Sequence, residues 1–197
     1  MSWQKCRALI ASYLWRHAGR LGLGTFCSRF LMVPGFKYAV LLRFYSYTRT
    51  AAWCQLGVRH LTVLLLHRYT IRYGMDISRD ARIGSGFYIG HFGGIFVNQN
   101  VVIGDNCNIS QGVTLGRQNR GARIGCPVIG NNVYIGPGAK IIGNVHIGDN
   151  AAIGANAVVV NDVAANTSVG GIPARPISDQ GSDGYINRTD YPAIPPR

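Results

Sequence analysis

The sequence predicts an all-β fold with a helical N-terminal segment: a triangular parallel β-helix that is preceded by helices and followed by a short tail. Three observations predict this fold class. Aliphatic residues recur with a period of six from Ile83 onward, apart from a two-residue offset between Ile95 and Val97 and an interruption after Leu115. Gly and Asn are frequent between them, and the chain before residue 73 has the apolar spacing of helices. At 197 residues, the chain is long enough for one well-buried domain and a small appendage.

Residues 1–72 are the predicted basic amphipathic helical segment. Apolar residues three and four positions apart, with Arg between them, favour helices, and Pro34 and Gly35 are expected to interrupt them. All acidic residues of the chain are Asp, the first is Asp76, and eleven Lys or Arg precede it. Two interpretations stay open: a cap packed on the main domain with solvated arginines, or helices lying on an anionic membrane surface.

The composition also argues against several classes of protein. The formal net charge is +12, yet no zinc-finger spacing or RNA-binding signature is present, so we expect no nucleic-acid partner. The longest stretch between basic residues before Asp76 is 50–58, whereas a spanning helix needs roughly 18 apolar residues. No cleavage site follows the apolar stretch 8–15, so we expect a cytoplasmic protein, either free or peripheral on the inner face of the membrane.

The β-helix is predicted for residues 73–177. A period of six differs from the period of a flat strand or a helix, and it is typical of a coil in which each short strand points one aliphatic side chain inward. The periodic positions are Ile83, Ile89, Ile95, Val97, Ile103, Ile109, Leu115, Ile129, Ile135, Ile141, Ile147, Ile153 and Val159. The repeat stops at 117–126, an insert with three arginines that we interpret as an extended binding loop. Residues 178–197 are predicted to be a flexible tail.

Four segments carry motifs of a known class of enzyme. They are 88–95 (Tyr-Ile-Gly-His-Phe-Gly-Gly-Ile), 111–116 (Gln-Gly-Val-Thr-Leu-Gly), 136–144 (Gly-Pro-Gly-Ala-Lys-Ile-Ile-Gly-Asn) and 171–175 (Gly-Ile-Pro-Ala-Arg). Together they resemble the signatures of hexapeptide-repeat acyltransferases, namely the serine O-acetyltransferases and the related sugar O-acetyltransferases. The resemblance implies a left-handed parallel β-helix, a homotrimer, and acetyl-CoA bound in the groove between neighbouring subunits.

His91 is the candidate catalytic residue. The resemblance implies that it deprotonates the acceptor hydroxyl so that this oxygen can attack the thioester carbonyl. An alcohol is a poor nucleophile at neutral pH, and a positioned imidazole typically contributes ~10²–10⁴-fold to the rate. Only His91 stands among glycines that would let a substrate approach. The remaining histidines, His17, His60, His67 and His146, are interpreted as surface or core residues, and a turn histidine without a role stays open for His91 itself.

Coenzyme A has phosphates that require cationic or N–H donors. By the resemblance, Lys140 and Arg175 are placed to bind them, and the backbone around Gly154 and Ala155 is placed to hold the pantetheine arm. Pro137 stands on the same wall and has no N–H to donate. No convergent cluster of histidines is apparent, so we expect no metal site. The five cysteines form no Cys-x-x-Cys pair and are interpreted as reduced thiols.

The acceptor is predicted from departures from the serine enzymes. Gly90 replaces the Asp that precedes the catalytic His, Gly125 and Cys126 replace an Arg-His pair, and Gln99 replaces an acidic residue. A free amino acid needs charged partners, because a buried unpaired charge is costly. We therefore expect a hydroxyl of a sugar or polysaccharide intermediate. The candidate acceptor-binding residues are Asn98, Gln99, Gln111 and Arg117.

Three alternatives remain open at this point. The protein could be a serine O-acetyltransferase with an altered acceptor site, or a non-catalytic solenoid scaffold bound to membrane. The third concerns Cys126, which we interpret as a small apolar filler rather than a reactive thiol.

Overall fold

A computed structural model describes residues 1–51 and 57–192 of the chain. In these residues, four helices cover one end of a solenoid built from fifteen short strands. The helices are α1 Trp3–Ala18, α2 Leu23–Met32, α3 Pro34–Thr48 and α4 Val58–Tyr73. Cys54 of the sequence lies outside the described residues.

The helix boundaries follow from local chemistry. The Ser2 hydroxyl accepts a hydrogen bond from the backbone N–H of Lys5 and caps α1. Pro34 begins α3, where its missing N–H costs nothing, and so it separates α2 from α3 as predicted. Gly35 does not interrupt α3. A side chain there would place a Cβ 2.3 Å from the carbonyl oxygen of Ile89, so glycine lets α3 pack closely on the solenoid.

The strands are short and follow one another around the coil. They are β1 Met75–Ile77, β2 Arg82–Ile83, β3 Tyr88–Ile89, β4 Ile95–Val97, β5 Val102–Ile103, β6 Asn108–Ile109, β7 Thr114–Gly116, β8 Val128–Ile129, β9 Tyr134–Ile135, β10 Lys140–Ile142, β11 His146–Ile147, β12 Ala152–Ile153, β13 Val158–Val159, β14 Ser168–Gly171 and β15 Ala174–Ser178.

These strands form the three faces of the solenoid. Face A is β1-β4-β7-β10-β13, face B is β2-β5-β8-β11, and face C is β3-β6-β9-β12-β14 with β15 added antiparallel. The pairs within the coil are parallel and in register, so Val97, Leu115 and Ile141 stack over one another inside face A. Each of these side chains is buried. Its removal from water stabilises the folded state by about 1.5–3 kcal/mol per residue. The predicted left-handed β-helix class is confirmed.

The predicted offset from Ile95 to Val97 has a structural cause. In β1 and β4 both terminal residues of the strand point inward and the middle residue points outward. Each of these strands therefore contributes two core residues, and the six-residue register resumes from the second.

Helices α1, α3 and α4 pack on the first coil of the solenoid and α2 packs on α1 and α3, which supports the cap interpretation of residues 1–72. Tyr13, Phe36 and Tyr38 are buried with the solenoid core. Two arginines are not solvated, contrary to the expectation for a simple cap. Arg43 donates hydrogen bonds to the carbonyls of Ile83 and Gly84, and buried Arg16 donates to Asn108 and Asn187. Among the described helices, none is long and apolar enough to cross a membrane.

The described part of the predicted flexible tail contacts the rest of the fold, and its flexibility stays a prediction. After β15 the chain runs back along face C, where the Tyr185 ring stacks on Tyr134 at 4.2 Å. Further on, the Tyr191 hydroxyl donates to Asn106 at 2.6 Å, and the indole N–H of Trp15 donates to Asp190 at 3.0 Å. Polar and aromatic groups that face outward from the solenoid hold this segment in place. Residues 193–197 lie outside the described residues.

Candidate active site

The corner that joins face C to face A carries His91, in the loop between β3 and β4. Successive coils meet closely at this corner, because Gly94, Gly112 and Gly138 adopt left-handed conformations with φ of 65°, 74° and 73°. A Cβ on Gly112 would lie 3.2 Å from the Cα of Gly138, so a side chain would push the coils apart. The Gly112 N–H donates to the Gly93 carbonyl at 2.8 Å and ties the loop of His91 to the coil below.

The side chain of His91 is exposed at this glycine-lined corner. The next residue, Phe92, is also exposed, and its ring contacts Tyr73 at the end of α4 with a centroid separation of 5.4 Å. This contact and the backbone bond of Gly93 define the position of the loop. The imidazole is therefore held on an ordered backbone while its ring remains open to a substrate, as a general base requires.

Two more predicted residues lie at the same corner. Gln111 occupies the coil below His91, and its side-chain Oε1 is buried with no hydrogen-bond partner among the described residues. The Lys140 ammonium, on β10, reaches back to donate to the Gly112 carbonyl. A buried oxygen without a donor carries a desolvation cost unless a ligand supplies one. His91, Gln111 and Lys140 thus lie on three successive coils at one corner, and we call these three residues the corner cluster.

The residues predicted to bind the pantetheine arm lie further along the solenoid. Gly154 is at the same corner two coils below Gln111, but its N–H already donates to the Val169 carbonyl at 2.8 Å. Ala155 beside it is exposed, and the Pro137 carbonyl already accepts from the Asn156 N–H at 2.8 Å. Binding of a ligand at this wall would therefore rest mainly on the fit of its shape and on contacts with exposed Ala155.

Arg175 is exposed on β15, and its guanidinium contacts only the adjacent Ala174 carbonyl at 3.3 Å. It lines a cavity of about 450 Å³ on the last coil. Its charge is free to bind a phosphate, because no carboxylate pairs with it in the described part of the chain.

Asn98 and Gln99 do not join the corner cluster. They follow β4, so they lie at the opposite edge of face A from His91, a strand length of roughly 10 Å away. Both line a cavity of about 600 Å³ between α4 and face A. Arg117, which follows β7 at the same edge, donates to Asn119 at 3.0 Å. The structure of one chain therefore divides the predicted site into two groups.

The same cavity contains ionisable residues that the sequence pattern did not assign to a site. Asp76, Arg79 and His67 line it together with Asn98 and Gln99. The carboxylate of Asp76 points outward from β1, and the guanidinium of Arg79 lies over the Tyr45 ring at 5.1 Å. The expectation that no charged partners are present for an amino acid is therefore wrong for this cavity. The only signal in the sequence was the position of Asp76 as the first acid, at the start of the solenoid.

The extended loop 117–126 is pinned at its base. Gln118 and Gly125 pair as an antiparallel bridge, and the Arg123 guanidinium binds Asp162 at 2.9 Å. The pKa of Asp162 is lowered, first by the hydrogen bond from the His146 N–H and then by Arg123. One of the three arginines thus serves the structure of the loop.

Cys126 ends this loop as a buried thiol that contacts the Asn98 oxygen at 3.3 Å. Burial raises the pKa of the Cys126 thiol, which disfavours the thiolate that a nucleophile would need. This supports the interpretation of Cys126 as a small packing residue. Within residues 1–51 and 57–192, no group of three or more His, Cys, Asp or Glu could hold a metal ion.

Comparisons with known proteins agree with this architecture. Residues 126–161 match the family described as bacterial transferase hexapeptide (six repeats). The serine acetyltransferase of Synechococcus elongatus is 38% identical over 152 residues, which cover 77% of this chain and 60% of that protein. The chain thus spans three fifths of the length of this curated relative.

Solved structures extend the likeness to the helices. Serine acetyltransferase from Neisseria gonorrhoeae in complex with serine superposes with a TM-score of 0.71 at 30% identity, covering 90% of this chain and 71% of that one. Serine acetyltransferase from Brucella abortus in complex with coenzyme A gives 0.70 at 31% identity, with 89% and 67% covered. The chain belongs to the hexapeptide-repeat acyltransferase family that includes the serine acetyltransferases.

Proposed function

We propose that the protein is an O-acetyltransferase that uses acetyl-CoA, with His91 as its general base. The observation that carries this proposal is the exposed imidazole on a glycine-lined corner, with Gln111 and Lys140 on the next two coils at the same corner. Relatives that are named serine acetyltransferases, one of them in complex with coenzyme A, support it.

The described residues fit acetyl-CoA. The free charge of Arg175 suits a phosphate, and Lys140 can exchange its bond to a backbone carbonyl for a stronger bond to an anion. The unpartnered Oε1 of Gln111 can accept a hydrogen bond from an amide N–H of a ligand. When bound, acetyl-CoA supplies the acetyl group as a thioester.

In this mechanism His91 acts twice. Its neutral imidazole takes the proton of the acceptor hydroxyl while the hydroxyl oxygen forms a bond to the carbonyl carbon of the acetyl group. The imidazolium then gives that proton to the sulfur as the carbon–sulfur bond breaks, so the enzyme returns to its starting state. The glycines at the corner keep bulk away from the imidazole, and the Gly93–Gly112 backbone bond fixes the height of the loop.

The enzyme acts as a homotrimer in this proposal. The corner cluster and the Asn98–Gln99 group lie at opposite edges of face A, so one chain does not bring them together. Packing of three solenoids side by side would place the corner of one chain near the edge of its neighbour. Acceptor and acetyl donor would then meet between subunits. Attachment to a membrane surface would depend on the helices alone and is separate from this chemistry.

Serine is the acceptor that the observations favour, in place of the sugar hydroxyl expected from the sequence. The relatives are serine acetyltransferases, and one is crystallised with serine. The cavity beside face A offers a carboxylate, Asp76, for an ammonium group and a guanidinium, Arg79, for a carboxylate. These are the charged partners that an amino acid requires.

A sugar hydroxyl remains the second candidate, because three positions of this chain are uncharged. Gly90, before His91, has no side chain to offer, and Gly125 and Cys126 provide no cation at the base of the loop. Amide side chains such as Gln99 are suited to neutral hydroxyl groups.

The test is an acetyl-transfer assay on the purified protein. It is incubated with acetyl-CoA and serine, nucleotide sugars or oligosaccharides, and free thiol is followed. We expect serine to be acetylated, and His91→Ala to lower kcat by about 10²–10⁴-fold because the general base is lost. His146→Ala removes an exposed histidine on β11 and is the matched control.

Each outcome separates the candidates. Acetylation of a sugar but not of serine would replace the acceptor and keep the mechanism. Full activity of His91→Ala would show that His91 is not the general base. Absence of acetyl-CoA binding and of turnover would favour a scaffold.

A further inference from the structure

Helix α2 presents an apolar stripe to solvent. Leu23, Cys27 and Leu31 are four residues apart and therefore share one face of the helix. Leu23 is 80% exposed, Leu31 is 65% exposed and the adjacent Met32 is 77% exposed. None of the ten residues of α2 is buried. The stripe is apolar surface that the described fold of one chain does not cover.

The neighbouring face of α2 packs against the rest of the fold. Phe26 packs edge-on against Phe36 of α3 at 5.8 Å, and the Lys37 ammonium lies over the Phe30 ring at 5.8 Å. Phe26 and Phe30 are three residues from Leu23 and Cys27 respectively, so these rings border the stripe. The apolar surface of α2 is therefore wider than the part that the described fold covers.

The surroundings of the stripe are basic. The segment before Asp76 contains eleven Lys or Arg and no acid. Arg20 is exposed three residues before α2 begins, and Arg68 and Arg72 are exposed on α4 together with Ile71. Lys37 connects the two helices, because its ammonium also lies over Tyr69 of α4 at 5.2 Å.

Ring contacts connect α4 to the loop of His91. The ring of Tyr69 stacks on Tyr73 at 5.2 Å, and Tyr73 contacts Phe92 at 5.4 Å. The C-terminal end of α4 therefore lies beside the residue that follows His91.

We propose that the exposed residues Leu23, Leu31 and Met32 of α2 and Arg68, Ile71 and Arg72 of α4 form a docking surface for an anionic lipid bilayer. The apolar side chains enter the headgroup boundary, and the arginines bind the lipid phosphates. A two-fold contact between two copies through this surface is a poorer match, because it would place basic residues opposite basic residues with no acid of the helical segment between them. The proposal depends on the helices and is independent of the acetyl transfer.

The experiment is flotation of the full-length protein with lipid vesicles. We expect the protein to float with vesicles of phosphatidylglycerol and phosphatidylcholine, to stay behind with phosphatidylcholine alone, and to be released by about 1 M salt because screening weakens the arginine contacts. The double variant Leu23→Glu/Leu31→Glu should bind anionic vesicles at least about 10-fold more weakly.

Matched controls change the same residue types elsewhere. Ile124→Glu/Ile177→Glu adds the same two acids at side chains that are 52% and 69% exposed on the solenoid, so it controls for the change in net charge and should bind anionic vesicles more tightly than Leu23→Glu/Leu31→Glu. For the charges, Arg68→Gln/Arg72→Gln should weaken flotation, whereas Arg82→Gln/Arg120→Gln, on the solenoid, should do so less. Thermal melts by circular dichroism check that each variant is folded.

Several results would overturn the proposal. One is binding that ignores lipid charge and salt, and another is no flotation at all. Equal flotation of Leu23→Glu/Leu31→Glu and the parent would show that the stripe is not part of the docking surface. A lower molar mass of that variant by light scattering would show instead that the stripe joins copies of this chain. Acetyl transfer to a soluble acceptor should persist in the α2 variant, so failure of docking and failure of the proposed activity are distinguishable.

Discussion

His17 should make the stability of the protein depend on pH below about 6.5. Its ring packs against Tyr88 at 4.3 Å and Phe36 at 5.4 Å, and its Nε2 is buried without a partner in the described part of the chain. Burial, together with repulsion from nearby arginines, lowers the pKa of His17 from 6.5 to about 3. The folded protein therefore keeps this imidazole neutral at a pH where the unfolded chain protonates it.

The sign and size of the effect follow from proton linkage. Because the pKa of this base is lower in the folded state, stability is complete above pH 6.5 and is lost as the pH falls toward the folded pKa. Between pH 7 and pH 5 the loss is about 2 kcal/mol, since each pH unit below the unfolded pKa costs about 1.4 kcal/mol. Domains of this kind have roughly 5–15 kcal/mol in total, so the loss is measurable.

The assay is urea unfolding at fixed protein concentration, followed by circular dichroism from pH 7 to pH 5. His17→Phe keeps an aromatic ring without a titrating group, so it should lose about 2 kcal/mol less than the parent over this range. His60→Ala removes an exposed histidine of α4 and should follow the parent. Equal pH dependence of the parent and His17→Phe would refute the reasoning.

Four further changes test other parts of the structure. Gly112→Ala forces a side chain into a left-handed conformation 3.2 Å from the next coil and should cost about 1–2 kcal/mol by thermal melting, whereas Gly24→Ala, with open space around it, should not destabilise. Lys140→Gln should raise the KM for acetyl-CoA about 10-fold with a smaller change in kcat, and an unchanged KM would remove Lys140 from the donor site. Asp76→Asn should lower kcat/KM for serine at least about 10-fold while the KM for acetyl-CoA stays constant; equal loss for both substrates would indicate a structural role. Arg16→Met should lower the free energy of unfolding by about 2 kcal/mol, because its hydrogen bonds to the solenoid and the tail are lost, and an unchanged urea midpoint would contradict this.

The sequence predicts the solenoid well because its signal is local. Each two- or three-residue strand points its apolar residue at the core, so the period of six reports directly on residues such as Leu115 and Ile141. His91 could be singled out for a similar reason, since the glycines that open its corner are its neighbours in sequence. The implied homotrimer and the roles of the site residues stay predictions.

Features that depend on distant contacts could not be predicted. Arg16 reads as a solvated residue of a basic helix, yet it is buried because Asn108 and Asn187, far away in sequence, supply its acceptors. The tail has no periodic pattern, and it is held by rings and amides that face outward from the coil, such as Tyr134. The cavity of Asp76 and Arg79 exists only because α4 lies over face A.

The stacked corner of the solenoid also fixes the distance between the groups that it carries. Neighbouring coils are about 4.8 Å apart, so the level of His91 and the level of Ala155, three coils lower, are separated by about 14 Å. Loss of one complete coil between them, such as residues 138–155, would shorten this distance in one step and leave the triangular cross-section intact. Natural variation in length should therefore be confined to the ends of the solenoid and to its loops. Gain or loss of a coil between these two levels would move the base relative to the far end of the donor.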